Sequence, residues 1–376
     1  MINTETVIVK LIEPTRNKQQ WLEQISTSFS GAVQLGLDVA QENKTASRAK
    51  IHNLAYRAMR EEFGLASDYA RMAVNSAQAL AASFYGLRKS KRQKRTSFPK
   101  VNGNQGIGLG VNAYKIVQSD HRFVLRCSTG QRGQYVWFPL AVAARFREKM
   151  PLVKGDAKIF KRDGHWYVML PLKVPEPTVR DGEPVFIGID LGVVRIASVS
   201  TPDGVHYFNG KAARHQREHF AKVRQRYQRH NRMDKMKIMR GKERRWMTNL
   251  NHVISKRIVE IAAAYDNPII CFERLDGIRY RVHGSKRFNR MMSSWAFRQL
   301  IRFVQYKAER LGIAVIFVDP RGTSKTCRKC GHSSRSNRPN QSQFRCVKCN
   351  HQDNADGNAS GNIADRGALL YDQGAL

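Results

Sequence analysis

Four of the six cysteines in this 376-residue chain crowd into one stretch near its C-terminus, CRKCGHSSRSNRPNQSQFRCVKCN. The pattern is C-x2-C, fifteen residues, then C-x2-C again, formed by Cys327, Cys330, Cys346 and Cys349. Each C-x2-C turns back on itself so that both sulfurs can face one ion. Gly331 and Asn350 suit the tight turn that follows each pair. Four thiolates at this spacing predict a zinc ribbon. A closed four-sulfur site leaves no open coordination position, so this single Zn2+ is structural. His332 and His351 lie beside the ligands and outside the set. Cys127 and Cys271 stand alone in strand-like segments. Such a cluster, with no export signal in the opening MINTETVIVKLIEP, predicts a metal site in a reducing, cytoplasmic setting and not a disulfide framework.

Charge narrows the partner. Lys and Arg number 65 against 30 Asp and Glu, a formal net charge of +35. A compact chain so charged repels itself unless a polyanion neutralises it. No apolar run approaches the roughly 18 residues of a membrane-spanning helix, so a membrane is not the expected partner. A long nucleic acid is.

Along the chain, ETVIVKLIE alternates like a strand, and residues 17–87 turn helical, with Trp21, Ile25, Phe29 and Val33 spaced four apart. The run RKSKRQKR follows, in which Arg88, Lys89, Lys91, Arg92, Lys94 and Arg95 are candidate phosphate contacts. Residues 100–175 are rich in β-formers and turns. With the first strand they predict a β-barrel (1–16 and 97–176) interrupted by a helical bundle (17–96). PEPTVRDGEP reads as a linker, with residues 177–184 as the boundary. Beyond it, VFIGIDLG, RIASVS and VHYF read as consecutive strands. Residues 211–245 hold 14 Lys and Arg against three acids. They predict a helical hairpin broken near Gly241, with Arg224, Arg226, Arg229 and Arg232 as nucleic-acid contacts. An amphipathic helix then leads into the buried strand PIICFERL, and another into IAVIFVD.

Three acids stand at element ends after the linker. Asp190 closes the first strand, Glu273 closes PIICFE, and Asp356 precedes the last helix, where backbone N–H groups favour negative charge. A hairpin sheet continued by parallel strands and flanked by helices is the ribonuclease H arrangement, in which these three places converge. Three carboxylates brought together cannot all stay ionised without cations. Two Mg2+ ions about 3.5–4 Å apart would relieve that repulsion and support hydrolysis of a phosphodiester.

In order along the chain, IGIDLGV, ICFERL, TSKTCRKCG with CVKC, and ADGNASGNI resemble the transposon-encoded TnpB proteins, apparent ancestors of the compact type V CRISPR effectors. The resemblance covers the C-terminal half and, more loosely, the N-terminal order of strand, bundle and barrel. It implies a prokaryotic RNA-guided DNA endonuclease, associated with the nucleoid when on DNA. The implied partners are a guide RNA from the transposon end, double-stranded target DNA beside a short adjacent motif, and the displaced strand. It assigns Asp190, Glu273 and Asp356 to a RuvC-type nuclease (185–376, with the ribbon inserted at 323–352). The barrel and bundle become wedge and recognition lobes. The family's D-x-N-A-A-x-N-I is here DGNASGNI, with Ser360 replacing the second Ala, so the third acid is Asp356 and not Asp353. Three alternatives stay open at this level: a guide-directed binder that does not cut, a miniature CRISPR effector with an array-derived guide, and a guide-free junction resolvase.

Overall fold

In the computed structural model, residues 3–89, 97–103, 105–119, 122–131, 133–178, 180–274 and 297–374 are described. Lys91, Arg92, Lys94 and Arg95, predicted above as phosphate contacts, therefore lie outside the described residues. Arg88 and Lys89 sit on a helix whose side chains at those positions are likewise outside it. The chain divides into two compact units, Met1–Pro175 and Glu176–Leu376.

In the first unit, strand β1 (Asn3–Leu11) buries Val7, Val9 and Leu11 and turns Ile8 outward, the period-2 pattern of a half-buried strand. The helical pattern becomes α1 (Arg16–Glu42), α2 (Arg48–Glu61) and α3 (Ser67–Lys89). Leu22, Phe29, Val33 and Leu37 form the buried stripe of α1, and Ser47 caps α2 by accepting from the Lys50 N–H. The later strands are β2 (Ile107–Leu109), β3 (Tyr114–Ser119), β4 (Arg122–Ser128), β5 (Tyr135–Ala141), β6 (Ala157–Arg162) and β7 (His165–Val174), with the short α4 (Ala144–Arg147) after β5. They join β1 in one antiparallel sheet of order β2-β6-β7-β1-β5-β4-β3. The sequence predicts a barrel. Among the described residues β2 and β3 are edges not paired with each other, so the hydrogen-bonded sheet is open. One face of it packs with the helices into a single core.

The second unit is built on a five-stranded sheet of order β10-β9-β8-β11-β12. β8 (Pro184–Asp190), β9 (Arg195–Thr201) and β10 (Gly204–Asn209) run antiparallel, and β11 (Asn267–Glu273) and β12 (Ala314–Val318) join β8 in parallel. Helices α5 (Lys211–Arg229), α6 (Met233–Ala263), α7 (Phe297–Glu309) and α8 (Ala355–Asp372) complete it. Ile187, Ile189, Ile270 and Phe272 point into a core shared with α6 and α7. Ile269, Cys271, Ile316 and Val318 point the other way, onto Ile363 of α8. The sheet is thus covered on both faces, as parallel strands require.

The basic hairpin differs from its prediction. Gly241 lies inside α6 and does not break it; an interior glycine weakens a helix by about 1 kcal/mol, which a 31-residue helix packed on the sheet absorbs. The reversal comes at residues 230–232, where Asn231 takes a φ of 48°, a conformation asparagine tolerates better than most residues. Among the described residues no helix is long and apolar enough to cross a membrane.

Candidate active site and metal centre

Register places the first two acids together. Ile189 of β8 lies opposite Phe272 of β11 in a parallel pair, so Asp190 and Glu273 follow at the same end of adjacent strands. Side chains alternate along a strand. Since Ile189 and Phe272 face α6 and α7, Asp190 and Glu273 face α8.

What brings α8 to them is the absence of a side chain at Gly188. A Cβ there would stand 1.9 Å from the Ser360 carbonyl oxygen and 2.5 Å from the Ala364 nitrogen, so α8 lies backbone-to-backbone on β8. The small residues of α8 make the approach possible: Gly357, Ala359, Ser360, Gly361, Ala364 and Gly367 are all buried. This answers why a strand of Val, Ile and Phe carries glycine two residues before its carboxylate. The N-terminus of α8 is fixed by Asn354, whose Oδ1 accepts from the Asp356 and Gly357 N–H groups, which sets Asp356 in the first turn.

The electrostatics agree with convergence. Burial, then the charges of Glu273 and Asp356, push the Asp190 carboxyl up to about 7, against a smaller opposing effect of Arg338. Burial also raises Glu273, opposed by a hydrogen bond that Thr323 Oγ1 donates to Glu273 Oε1 and by the charge of Arg366. Asp356 pairs with Arg338 at 3.4 Å and with Arg195 at 3.7 Å. Arg195 also donates to Asn354 Oδ1 and lies 3.9 Å over the Tyr207 ring. Asp353 sits on a short strand, Gln352–Asn354, exposed, with its Oδ1 accepting from the Asn354 N–H. Arg195, Arg338 and Thr323 were missed in the sequence. An arginine opening the otherwise buried strand RIASVS was the one available signal; Arg338 in a polar loop gave none.

The cysteines form the tightest cluster. Their four Sγ atoms lie within 4.8 Å of one another, and among the described residues no other His, Cys, Asp or Glu group is drawn so close. Cys327 and Cys349 are 3.7 Å apart and Cys330 and Cys346 3.6 Å. A zinc–thiolate bond of about 2.3 Å implies sulfurs about 3.8 Å apart in a tetrahedron, so the set has the dimensions of a structural zinc site. The two knuckles are built alike. The Cys327 N–H donates to the His332 carbonyl and the Gly331 N–H to the Cys327 carbonyl, both at 2.9 Å. The Cys346 N–H donates to His351 and the Asn350 N–H to Cys346, at 2.9 and 3.0 Å. Gly331 and Asn350 take φ of 71° and 54°, as the turn needs. Buried Asn337 joins the knuckles, donating to the Lys325 and His332 carbonyls and accepting from the Val347 N–H.

The ribbon is tied to the helix that carries Asp356. Asn358 donates to the Thr326 carbonyl and accepts from the Arg328 N–H, and Asn362, one turn on, donates to the Thr323 and Thr326 carbonyls. Arg328 then makes a two-pronged pair with Asp365 at 2.9 and 3.0 Å.

The predicted basic contacts divide. Arg226 and Arg229 are exposed on α5. Arg224 is half-buried and paired with Glu243, and Arg232 pairs with Asp234 at 3.0 Å. Between α5, α6 and α7 lies a cavity of about 530 Å3 lined by Arg217, Arg224, Arg240 and Arg244 with Glu243 and Gln299.

Comparison with known proteins gives a consistent neighbourhood. Residues 297–363, which span α7 and the ribbon, match the family described as Cas12f1-like, TNB domain. The chain is 31% identical over 220 residues to the CRISPR-associated endodeoxyribonuclease Cas12f1 of Sulfoacidibacillus thermotolerans, covering 54% of this chain and 50% of that protein. It is 30% identical over 232 residues to a TnpB-like protein of Aquifex aeolicus, covering 54% of this chain and 74% of that protein. The fold aligns with a Cas12f1 protein solved with guide RNA and target DNA, at a TM-score of 0.67 and 16% identity, over 93% of this chain and 82% of that one. The chain spans about half the length of the Cas12f1 relatives it matches.

Proposed function

The chain belongs to the TnpB family, and on that premise we propose that it is a transposon-encoded, RNA-guided DNA endonuclease. What supports the reading is the position of Asp190 and Glu273 at the same end of adjacent strands β8 and β11, with burial first and then the charges of Glu273 and Asp356 raising the Asp190 carboxyl to about 7. A buried carboxyl beside two other acids gains from a cation, and an all-oxygen donor set suits a hard divalent one. Magnesium bound there would supply an activated water and stabilise the leaving 3′ oxygen. The chain's own side chains hold that donor set in place: Thr323 orients Glu273 through its hydroxyl, while Arg195 and Arg338 hold Asp356 from two sides. In this reading residues 185–376 form a RuvC-type nuclease with a structural zinc ribbon at 323–352. Residues 1–16 and 97–176 form the wedge, and 17–96 the recognition lobe.

Guide pairing would read the sequence while the protein holds the heteroduplex by its backbone. The similarity to Cas12f1 keeps an array-derived guide as the second reading, and the similarity to TnpB-like proteins favours the transposon one. Sequencing the RNA that co-purifies with the protein decides between them. The same complex, given a plasmid that carries the guide's target beside randomised flanks, should linearise a subset of molecules in magnesium and none in EDTA. Failure to cut any flank with its own co-purified guide would overturn the nuclease reading.

A further inference from the structure

The cavity between α5, α6 and α7 belongs to neither metal site, and its lining is chemically one-sided. Arg217 and Arg224 reach it from α5, and Arg240 and Arg244 from α6. Glu243 is the one acid among the lining residues, so four guanidiniums share a single carboxylate. Helix geometry explains the convergence. Arg217 and Arg224 lie seven residues apart, two turns along one side of α5, and Arg240 and Arg244 four apart, one turn along α6. The α5 pair is half-buried and the α6 pair exposed. Arg224 pairs with Glu243. The Arg217 Nε donates to the Met247 sulfur at 3.3 Å, a weak acceptor. Burial, then the charge of Arg224, pushes the Arg217 guanidinium below the usual arginine range, and burial, then Arg240, does the same to Arg224. The cations stand close enough to repel one another.

Like charges held together in a partly desolvated space cost free energy that an entering anion recovers. Their spacing selects the anion. A nucleic-acid strand spreads its charge along a groove and is met by cations strung along a surface, as Arg226 and Arg229 are on the exposed side of α5. Four guanidiniums around one space of about 530 Å3 suit a compact ion of several charges. Each guanidinium fork can take two phosphate oxygens. We propose that this cavity binds a free oligophosphate, a short chain of linked phosphates as in a nucleoside triphosphate or its inorganic counterpart. The volume lies within the range of small-ligand sites, which leaves room for a nucleoside beside the phosphates. Glu243 tunes the affinity: it competes with the phosphates for Arg224, so the carboxylate works against the ligand. The proposal does not rest on the RNA-guided reading.

The test is titration calorimetry of the full chain, washed free of nucleic acid, with inorganic triphosphate, ATP and AMP in near-physiological salt without magnesium. One triphosphate per chain should bind, and AMP should bind at least about tenfold more weakly than ATP. ATP binding more tightly than inorganic triphosphate would show that the nucleoside is held as well; equal affinity would make the phosphate chain the whole ligand. Arg217→Gln with Arg240→Gln should weaken triphosphate binding about tenfold or more. Glu243→Gln should tighten it several-fold, a gain that a misfolded variant cannot give. Lys256→Gln with Arg257→Gln removes the same charge from the exposed face of α6 and should leave triphosphate affinity nearly unchanged. Triphosphate at about a hundred times its Kd should raise Tm by about 5–10 °C. Several triphosphates per chain with equal loss in the two double variants would mark a general response to net positive charge and overturn the proposal. Parental affinity in the Arg217→Gln, Arg240→Gln protein would overturn it too. So would an oligonucleotide without terminal phosphates that displaces triphosphate and binds Glu243→Gln more tightly, since the cavity would then belong to nucleic acid.

Discussion

Replacing Gly188 by alanine tests the packing on which the candidate active site depends. The added Cβ would meet the Ser360 carbonyl oxygen at 1.9 Å and the Ala364 nitrogen at 2.5 Å, both backbone atoms of α8 and neither able to rotate away. Real Cβ atoms essentially never come within 3.0 Å of such neighbours. The helix must therefore retreat from β8 by about 1 Å or more, at an overpacking cost of about 1–3 kcal/mol. For a unit of this size each kcal/mol lowers Tm by about 2–4 °C. Asp356 rides on the first turn of the same helix, while Asp190 stays on the strand. A misplacement of about 1 Å between groups that must act together costs on the order of a hundredfold in rate.

Gly188→Ala should thus cut about a hundredfold more slowly than the parent, with a Tm several degrees lower, while retaining its zinc and its guide RNA. Single-turnover cutting of a matched target, alongside calorimetry and metal analysis, measures all three. Gly86→Ala on α3 is the control: its Cβ would meet nothing within 4 Å, and the substitution should leave cutting unchanged and stability equal or slightly higher. A Gly188→Ala protein that melts and cuts like the parent would refute the close approach of α8 as the device that sets Asp356.

The three acids should act as one unit, so Asp190→Ala, Glu273→Ala and Asp356→Ala should each abolish cutting and spare RNA and target binding in a gel-shift assay; Asp353→Ala should cut nearly normally, and the reverse result at 353 and 356 would move the third ligand. Cys327→Ser or Cys346→Ser should lose zinc by elemental analysis and loosen the C-terminal region, because ligand binding energy in such a site is folding energy; full activity with no bound zinc would contradict this. Replacing Arg226 and Arg229 by Gln should flatten the salt dependence of DNA binding and slow cutting. Arg224→Gln should act mainly on stability, since it leaves the half-buried Glu243 without its partner. Identical salt slopes for the double variant and the parent would reduce the exposed face of α5 to a solvated surface.

Much of the second unit was legible because its signals are short-range. The cysteine spacing and the residues after each pair describe a knuckle that closes through neighbouring backbone groups. A strand ending in an acid can be read from its own alternation. The hairpin break was misplaced because glycine is only a weak breaker inside a long packed helix, and Asn231 in a polar run looks like its neighbours. The open edge of the first sheet depends on whether two distant strands pair, which alternation does not encode. Arg338 and Thr323 were illegible for the same reason, and Arg195 was marked only by its place at the start of a buried strand: each meets its acid across 18 to 161 residues of chain.

The two asparagines of DGNASGNI show what the sequence motif leaves unsaid. Read as a motif, they accompany a catalytic acid; in the fold, neither faces the acids. Lying on one side of α8, four residues apart, they saturate the carbonyls of Thr323 and Thr326 at the root of the ribbon. Thr323 is in turn the residue whose hydroxyl orients Glu273, and Arg338 reaches from within the ribbon to Asp356. Two of the three acids are therefore steadied by groups whose own positions depend on the ribbon being folded. A zinc ion held by the four cysteines would take no part in the proposed hydrolysis, yet its site is connected to the acids by hydrogen bonds. Loss of zinc should accordingly lower cutting more than it lowers nucleic-acid binding, and Asn362→Ala should reproduce part of that effect with the zinc still in place.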